Sequence, residues 1–308
     1  MIKFNTLWGN MKKGIVIFSF LFATIGFSQT GPGGVGTADG TSNLDFWFDA
    51  NAGIYTDAGT TLATDGQSVE QWNDQSGYGN NASQATLANK PTYLTTTLNG
   101  YPTVDFDGVL TAAGDVMSFS FTSSASTTIF AVGEGTYSGV NPLQLLHVEG
   151  DGTILIEQES SISLKSSYFN VTESAAATTA IVDEGVFIVE YDLIASGTSE
   201  LFHMGTSAGT AATNAHTATA GTTYIGNHSS SIRNWNGGVA ELIHFDVIVN
   251  DAQKIIVQNY LAAKYGQVLT SNDLYDEDDV ANGNYDHEVA GIGRVDVSNI
   301  HNDAQGTG

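Results

Sequence analysis

The chain has 308 residues, no cysteine, 35 glycines and 4 prolines, and 33 acidic against 9 basic residues give it a formal charge of −24. A surface this acidic repels phosphate backbones, which excludes nucleic acid as a partner. The lack of cysteine excludes disulfides, thiolate catalysis and cysteine-based zinc sites. A hydrophobic fraction of 41% is enough to bury a sizeable core, so the chain is not a disordered acidic tail.

The N-terminus has the pattern of a secretory signal peptide over residues 1–28. The basic pair Lys12 and Lys13 precedes an apolar run of about fourteen residues, and the small residues Gly26 and Ser28 precede the expected cleavage point. The run is short for a membrane helix, which needs about 20 residues. We therefore expect export to the extracellular space or the outer cell surface, with no membrane span after cleavage.

The body of the chain, residues 44–270, has the pattern of an all-β domain. It follows a glycine-rich stretch at residues 29–43 that predicts a flexible leader. Short apolar runs are separated by small polar residues, and in one run Met117, Phe119 and Phe121 alternate with polar residues as in a half-buried strand. Strands at this spacing, with almost no helix between them, predict two packed antiparallel sheets.

Three stretches within this body have more specific local patterns. Val239–Val249 is a longer run that is apolar on both faces, which predicts a strand covered on both sides. Two hairpins are predicted because glycine-containing turns separate paired apolar runs. Their strands are Leu143–Val148 with Thr153–Glu157, and Val186–Leu193 with Glu200–Met204.

One α-helix is predicted over residues 251–265. Asn250 can cap its N-terminus, and Gly266 supplies the residue that ends it. Tyr260 belongs to an apolar stripe at helical spacing, so we expect it to pack against a sheet rather than to contact a ligand. The stripe consists of Ile256, Val257, Tyr260 and Leu261.

After Thr270 the composition changes. Residues 273–279 form an acidic link, and residues 284–294 have the pattern of the opening strand of a second module. The residues that follow the link are too few for a core of their own. We therefore interpret residues 271–308 as a link and the truncated start of a further domain of a longer chain.

Four segments carry a further signal by their order and spacing: Leu44–Ala50, Trp72–Ala82, Lys90–Tyr93 with Asn99–Gly108, and Tyr260–Gly266. Together they resemble the laminin-G-like, concanavalin-A-like jelly-roll domains of large surface proteins from gliding Gram-negative bacteria. The resemblance covers residues 44–270. It implies a jelly-roll sandwich that binds glycans or other surface ligands, or serves in adhesion, without catalysis. A structural spacer is the alternative.

Glycan cleavage on the same fold is a further alternative, and the residues argue against it. Laminarinase-like relatives use a Glu-x-Asp-x-x-Glu strand, whereas the nearest match starts at Glu190 and has Ala195 in place of the last glutamate. Glu157 and Glu159 share one strand face but lack a third carboxylate. Gly205–Gly209 matches the G-x-S-x-G motif without a helix after it. We therefore expect no enzymatic activity.

The candidate ligand site is the polar loop Asn227–Gly237. Arg233, Asn234 and Asn236 supply hydrogen-bonding groups around the aromatic face of Trp235. Aromatic stacking combined with a few polar groups is how shallow sites hold carbohydrate. The alternative is that Trp235 packs under the strand that follows it.

No cofactor is predicted with certainty, and calcium is left open. Asp276–Gly283 resembles a calcium loop, but Val280 and Val289 occupy ligand positions of the EF-hand pattern, which therefore fails. An exported β domain with many loop Asp and Asn residues still suits Ca²⁺, which prefers oxygen ligands.

Overall fold

The computed structural model describes residues 30–139, 143–148, 153–161, 163–170, 172–182, 185–213, 215, 217, 219–227, 233–285 and 289–302. The predicted signal peptide lies outside these residues, as does the predicted turn at 150–152. The early strands are β1 (Leu44–Asp49), β2 (Ile54–Tyr55), β3 (Gln71–Trp72), β4 (Ala82–Ser83), β5 (Thr92–Leu98), β6 (Tyr101–Asp107), β7 (Met117–Ser123) and β8 (Thr127–Glu134). They are followed by β9 (Leu143–Val148), β10 (Thr153–Ser160), β11 (Ser163–Asn170), β12 (Thr172–Ala180), β13 (Val186–Leu193), β14 (Thr198–His203), β15 (Thr206–Ala212), β16 (Thr219–Ile225) and β17 (Asn236–Phe245). The helix α1 (Asp251–Tyr265) comes next, and β18 (Gly293–Arg294) and β19 (Ile300–His301) form a short terminal hairpin.

The strands form two large antiparallel sheets. The first sheet has the order β15-β14-β13-β8-β17-β6-β5, with β1 also paired to β17. The second has the order β12-β11-β10-β9-β16-β7-β4-β3-β2. Both predicted hairpins are present, as β9–β10 and β13–β14. The predicted all-β sandwich of two antiparallel sheets with one α-helix is confirmed.

The main core lies between the two sheets because alternate side chains of each strand point inward. On β7, Met117, Phe119 and Phe121 are buried while Ser120 between them is exposed, as the alternation predicted. The rings of Phe119 and Phe121 meet Phe46 of β1 edge to face, each with its centroid 5.3 Å away. This contact joins the second sheet to the first.

The helix α1 packs on the outer face of the first sheet. A capping box closes its N-terminus, since Asn250 accepts from the backbone of Gln253 and the Gln253 side chain accepts from the backbone of Asn250. Gly266 ends it in the left-handed conformation with φ of 61°. The predicted stripe, including Tyr260, is buried in a second apolar cluster with residues of β8 and β17 such as Ile243. The strand β17 is therefore covered on both sides, as predicted.

Residues 30–43 pack against the domain instead of forming the expected flexible leader. Pro32, Gly33 and Gly34 form a buried turn. Gly33 has φ of 64°, and a Cβ there would lie 3.1 Å from the Cβ of Tyr260. The glycines thus allow close approach to α1 and a left-handed backbone, a requirement that composition alone cannot distinguish from flexibility.

The C-terminal residues 289–302, here called the tail, also contact α1. The backbone of Gly291 donates to the carbonyl of Gly33 at 3.0 Å, and the Asn250 side chain donates to the carbonyl of Ile300 at 3.2 Å. The segment expected to open a further module therefore contacts the N-terminal end of α1 and the turn at residues 32–34. Within the described part of the chain, no helix has the length and apolar character needed to cross a membrane.

Candidate functional site

The outer face of the second sheet differs from the other three sheet faces. The two inner faces pack together, and α1 packs on the outer face of the first sheet. On β10, Ile154 and Ile156 belong to the core, so Glu157 and Glu159 face outward. The β10–β11 register places Lys165 opposite Glu157. The resulting group, here called the outer-face cluster, consists of Gln144, His147, Glu157, Glu159, Lys165, Ser167, Tyr224 and Arg233.

Glu157 lies at the centre of the outer-face cluster. Its Oε1 is 2.7 Å from the Nζ of Lys165, and its Oε2 accepts a hydrogen bond of 3.0 Å from Gln144. The Nη1 of Arg233 lies 3.5 Å from the same Oε2, and Lys165 also contacts Glu159 at 2.8 Å. Two acids and two bases therefore compensate one another, as buried or partly buried charges require.

The exposure of the side chains increases from the centre of the outer-face cluster to its edge. The side chains of Glu157 and Lys165 are 2% and 8% exposed, whereas those of Glu159 and Arg233 are 36% and 35% exposed. The inner pair is therefore fixed by its surroundings. The outer pair can exchange a protein contact for a ligand contact without unfolding the sheet.

Two rings lie beside these charges. His147 and Tyr224 meet edge to face with centroids 5.7 Å apart, and Tyr224 is partly exposed. The Nδ1 of His147 lies 3.3 Å from the amide oxygen of Gln144. The hydroxyl of Ser167 is buried and has no hydrogen-bond partner among the described residues. An aromatic edge beside amide, hydroxyl and charged groups is a composition suited to sugar hydroxyls.

Trp235, the predicted stacking residue, lies in the main core. It has no exposed area, its ring meets Phe187 edge to face at 5.9 Å, and its Nε1 donates to the carbonyl of Glu134 at 3.2 Å. An indole without exposed area offers no face to a sugar in solvent. This corrects the expectation of a stacking platform, and the structure supports the alternative that Trp235 packs under the following strand.

The three polar residues predicted beside Trp235 point in different directions. Asn234 is buried and donates to the carbonyl of Asp115 at 3.3 Å, and Asn236 donates to the carbonyl of Thr136 at 3.0 Å. These amides hold neighbouring loops in place. Arg233 instead reaches the outer-face cluster. Residues 228–232 of the predicted loop lie outside the described residues.

The other motifs found in the sequence have structural roles. Gly205–Gly209 lies where β14 turns into β15, so its serine is in a β-hairpin and not at a strand-to-helix turn. Glu190 and Asp192 face α1, where Glu190 accepts from Gln258 and Asp192 pairs with Lys254. Among the described residues, no group of three or more His, Asp or Glu side chains is placed to hold a metal ion.

Sequence reasoning missed most of the outer-face cluster. Glu157 and Glu159 were recognised as sharing a face, but Gln144, His147 and Lys165 were not connected to them. The signal that connects them is the register of β9, β10 and β11, because residues opposite one another share a face. That register depends on a bulge between Ile156 and Glu157, which the apolar pattern does not show.

No family model and no curated protein matches the chain. Solved structures resemble it at low identity. A SAP-like heptameric pentraxin from Limulus polyphemus is 13% identical over 46% of this chain and 73% of that one, with a TM-score of 0.38. A sialidase carbohydrate-binding module (CBM40) from Ruminococcus gnavus, bound to α2,3-sialyllactose, is 11% identical over 44% and 82%, with a TM-score of 0.36. The sialidase of Trypanosoma rangeli is 12% identical over 77% of this chain and 36% of that chain, with a TM-score of 0.47.

The expectation of a chain without enzymatic activity is corrected by these comparisons. The similar structures are mainly enzymes, sialidases and α-L-arabinofuranosidases. The identities of these enzymes to this chain are 11–13%, with TM-scores of 0.45–0.49.

Proposed function

We propose that this chain is an exported glycan-binding domain of the laminin-G-like, concanavalin-A-like type, and that it binds its ligand at the outer-face cluster. Residues 1–28 would direct export, and residues 44–270 would form the binding domain at the cell surface or outside the cell. Other domains of a longer chain would be its covalent partners.

The observation that carries this proposal is the gradient of exposure around Glu157. A buried pair, Glu157 with Lys165, fixes the geometry, while Arg233 and Glu159 keep about a third of their side chains exposed. Preorganised polar groups bind a ligand without the entropic cost of ordering them first. The partly exposed ring of Tyr224 adds an apolar edge for a sugar ring.

Glycan cleavage at the same face is the second candidate function. Glu157 and Glu159 each place a carboxylate oxygen within 2.8 Å of the Nζ of Lys165, so the two carboxylates lie close together on one face. Paired carboxylates carry out the acid and nucleophile or base roles of glycoside hydrolysis. Lys165 would have to move away from one of them before that carboxyl group could carry a proton.

The test is binding of the purified protein to a panel of immobilised polysaccharides, with release of soluble sugar measured in the same samples. We expect saturable binding to one glycan class. Replacing Arg233 (Arg233→Ala) should weaken that binding about ten- to a hundredfold, because a hydrogen bond from a charged donor contributes about 1.5–3 kcal/mol. Arg294→Ala is the matched control, since Arg294 is exposed in the tail, away from the sheet, and should bind as the unchanged protein does.

Three outcomes distinguish the candidates. Binding without sugar release supports the binding domain, and release that disappears in Glu159→Gln supports cleavage. Absence of binding and release across the panel, from protein shown to be folded by its circular dichroism, would contradict both candidates and favour a structural spacer.

A further inference from the structure

A lysine and two carboxylates meet in a sealed site between α1 and the first sheet. Asp49 of β1 and Glu241 of β17 are directly opposite in the strand register, and Lys264 of α1 lies above both. The Nζ of Lys264 is 2.8 Å from the Oδ2 of Asp49 and 2.8 Å from the Oε2 of Glu241. The residue exposures are 6% for Lys264, 9% for Asp49 and 0% for Glu241.

The walls of this site are aromatic. The Nζ of Lys264 lies 5.3 Å from the ring centroids of Tyr260 and Tyr265 and 5.6 Å from that of Tyr101. Both Tyr260 and Tyr265 are buried. Such walls exclude water and lower the local dielectric, which brings the neutral forms of an amine and a carboxylic acid closer in energy to the ion pair.

The two carboxylates are held in different ways. Glu241 accepts from the Nε1 of Trp47 at 2.7 Å and from the hydroxyls of Tyr260 and Tyr265 at 3.0 and 2.8 Å, besides its contact with Lys264. Asp49 accepts one further bond, of 2.8 Å, from the backbone of Asn51. Glu241 is therefore fixed as a proton acceptor, and the carboxyl carbon of Asp49 is left as the accessible electrophile.

We propose that Lys264 and Asp49 form an intramolecular amide (isopeptide) bond, with Glu241 as the base that transfers protons. The Nζ of Lys264, which contacts Asp49, Glu241 and the hydroxyl of Tyr260, attacks the Cγ of Asp49. An N–C bond forms and one C–O bond of the carboxyl group breaks. Of the three ammonium protons, one stays on the amide and two leave with the oxygen as water. No oxidant or other co-reactant is required.

Proton transfer to Glu241 is the step that prepares the amine. Burial works to lower the pKa of Lys264, but the charge of Glu241 raises it well above its usual value, so the resting state is the ion pair. Burial also raises the pKa of Glu241. The step starts from this ion pair: the Oε2 of Glu241, 2.8 Å from the Nζ of Lys264, takes one of its protons and leaves a neutral amine at contact distance from Asp49.

The second lysine of α1 provides an internal comparison. Lys254 contacts Asp192, but Glu190 is 3.8 Å from its Nζ and is hydrogen-bonded to Gln258 instead. The Lys254 side chain is also more exposed, 14% against 7% for Lys264. The nearest oxygens of Glu190 and Asp251 lie 3.8 and 3.9 Å from the Nζ of Lys254, beyond hydrogen-bond distance, so Lys254 has an acid partner without a second carboxylate close enough to take its proton, and we expect it to stay unlinked.

The test is peptide mapping of the purified protein after unfolding and digestion with trypsin, which cuts after lysine and arginine. We expect the peptide that contains Asp49 and ends at Lys165, because Lys90 precedes a proline and is not cut, to be joined to the peptide that runs from Ile255 to Arg294. The joined species should be lighter by one water than the sum of its parts, and no cut should occur after Lys264. Recovery of the two peptides unlinked, with cleavage after Lys264, would overturn the proposal and leave an ordinary buried salt bridge.

Variants of Lys264, Glu241 and Lys254 test the role of each residue in forming the amide bond. Lys264→Arg should abolish the linked species completely because it keeps the positive charge without the amine. Glu241→Gln should abolish or strongly slow it because the base is lost. Lys254→Arg is the matched control and should link fully. Linkage that persists in folded Glu241→Gln protein would contradict the role of Glu241. If a variant does not fold, the unchanged protein still decides whether the bond exists.

Discussion

Two charge clusters of similar composition lie on opposite sides of the sandwich. The helix-covered cluster, Asp49, Glu241 and Lys264, is sealed under α1, and its central carboxylate has four donors. The outer-face cluster also centres on one carboxylate, Glu157, but two of its members remain about one-third exposed. Clusters of similar composition therefore differ in exposure, and the element packed over each one decides how far its charges reach solvent.

The reason for this difference lies in what each sheet face is packed against. The first sheet presents its acids to a helix that supplies Lys254 and Lys264, so each charge is compensated by a side chain that also fastens the helix. The second sheet supplies both acid and base from its own strands, with Lys165 directly opposite Glu157. Its charges are therefore compensated within the sheet, and Glu159 and Arg233 stay about one-third exposed.

The strongest test of this contrast is Glu241→Ala. It removes the carboxylate shared by four donors, leaves Asp49 as the one carboxylate in contact with Lys264 among the described residues, and removes the base that the proposed amide bond needs. We expect the free energy of unfolding to fall by about 3–5 kcal/mol, the range for breaking a buried ion pair. Guanidinium unfolding followed by circular dichroism measures it.

The matching change on the other face is Glu159→Ala, which should cost no more than about 1 kcal/mol because Glu159 is itself 36% exposed and Lys165 keeps Glu157 as a partner. Equal losses of stability in the two variants would mean that the outer-face cluster is as structural as the covered one.

Aromatic residues give a second test. Trp235 is fully buried, so Trp235→Ala should lower the free energy of unfolding by about 3–5 kcal/mol through the cavity it leaves. Tyr224 lies partly exposed on the outer face, so Tyr224→Ala should weaken glycan binding while costing much less stability. Unfolding curves and binding isotherms on the same samples separate the two effects. A Trp235→Ala protein that keeps its stability and loses binding would restore Trp235 as a ligand contact.

The parts of the fold that depend on local chemistry could be predicted from the sequence. Asn250 and Gly266 mark the ends of α1 because capping requires those residue types at those places. The alternation of Met117, Phe119 and Phe121 identified a strand and its buried face. Each of these signals lies within a few residues of the element it defines.

The sites could not be predicted because they depend on distant pairing. Lys264 meets Asp49 across 215 residues of sequence, and Glu157 meets Arg233 across 76. The expectation that Trp235 stacks on a sugar is wrong for a related reason. The polar residues around it in the sequence do not show which side chains pack against its ring. The exposure of an aromatic residue is fixed by tertiary packing and not by its neighbours in the chain.

The smallest expected effect concerns Asp115, a buried carboxylate without a basic partner among the described residues. Asp115 is buried beside the segment that carries Arg233, and among the described residues no lysine or arginine pairs with it. Burial, with the charge of Asp107 as a second cause, raises its pKa to about 7 from the ordinary 3.8. The folded state therefore binds a proton more tightly than the unfolded state does, and this group's contribution to stability is lost as the pH rises toward 7.

We therefore expect the unchanged protein to lose more stability between pH 5 and pH 8 than Asp115→Asn does, as measured by unfolding at each pH. Asp57→Asn is the control, because backbone and side-chain hydrogen bonds lower the pKa of that exposed carboxyl, so it stays ionised in both states throughout this range. The same pH dependence in unchanged and Asp115→Asn protein would mean that Asp115 is ionised in the fold without a lysine.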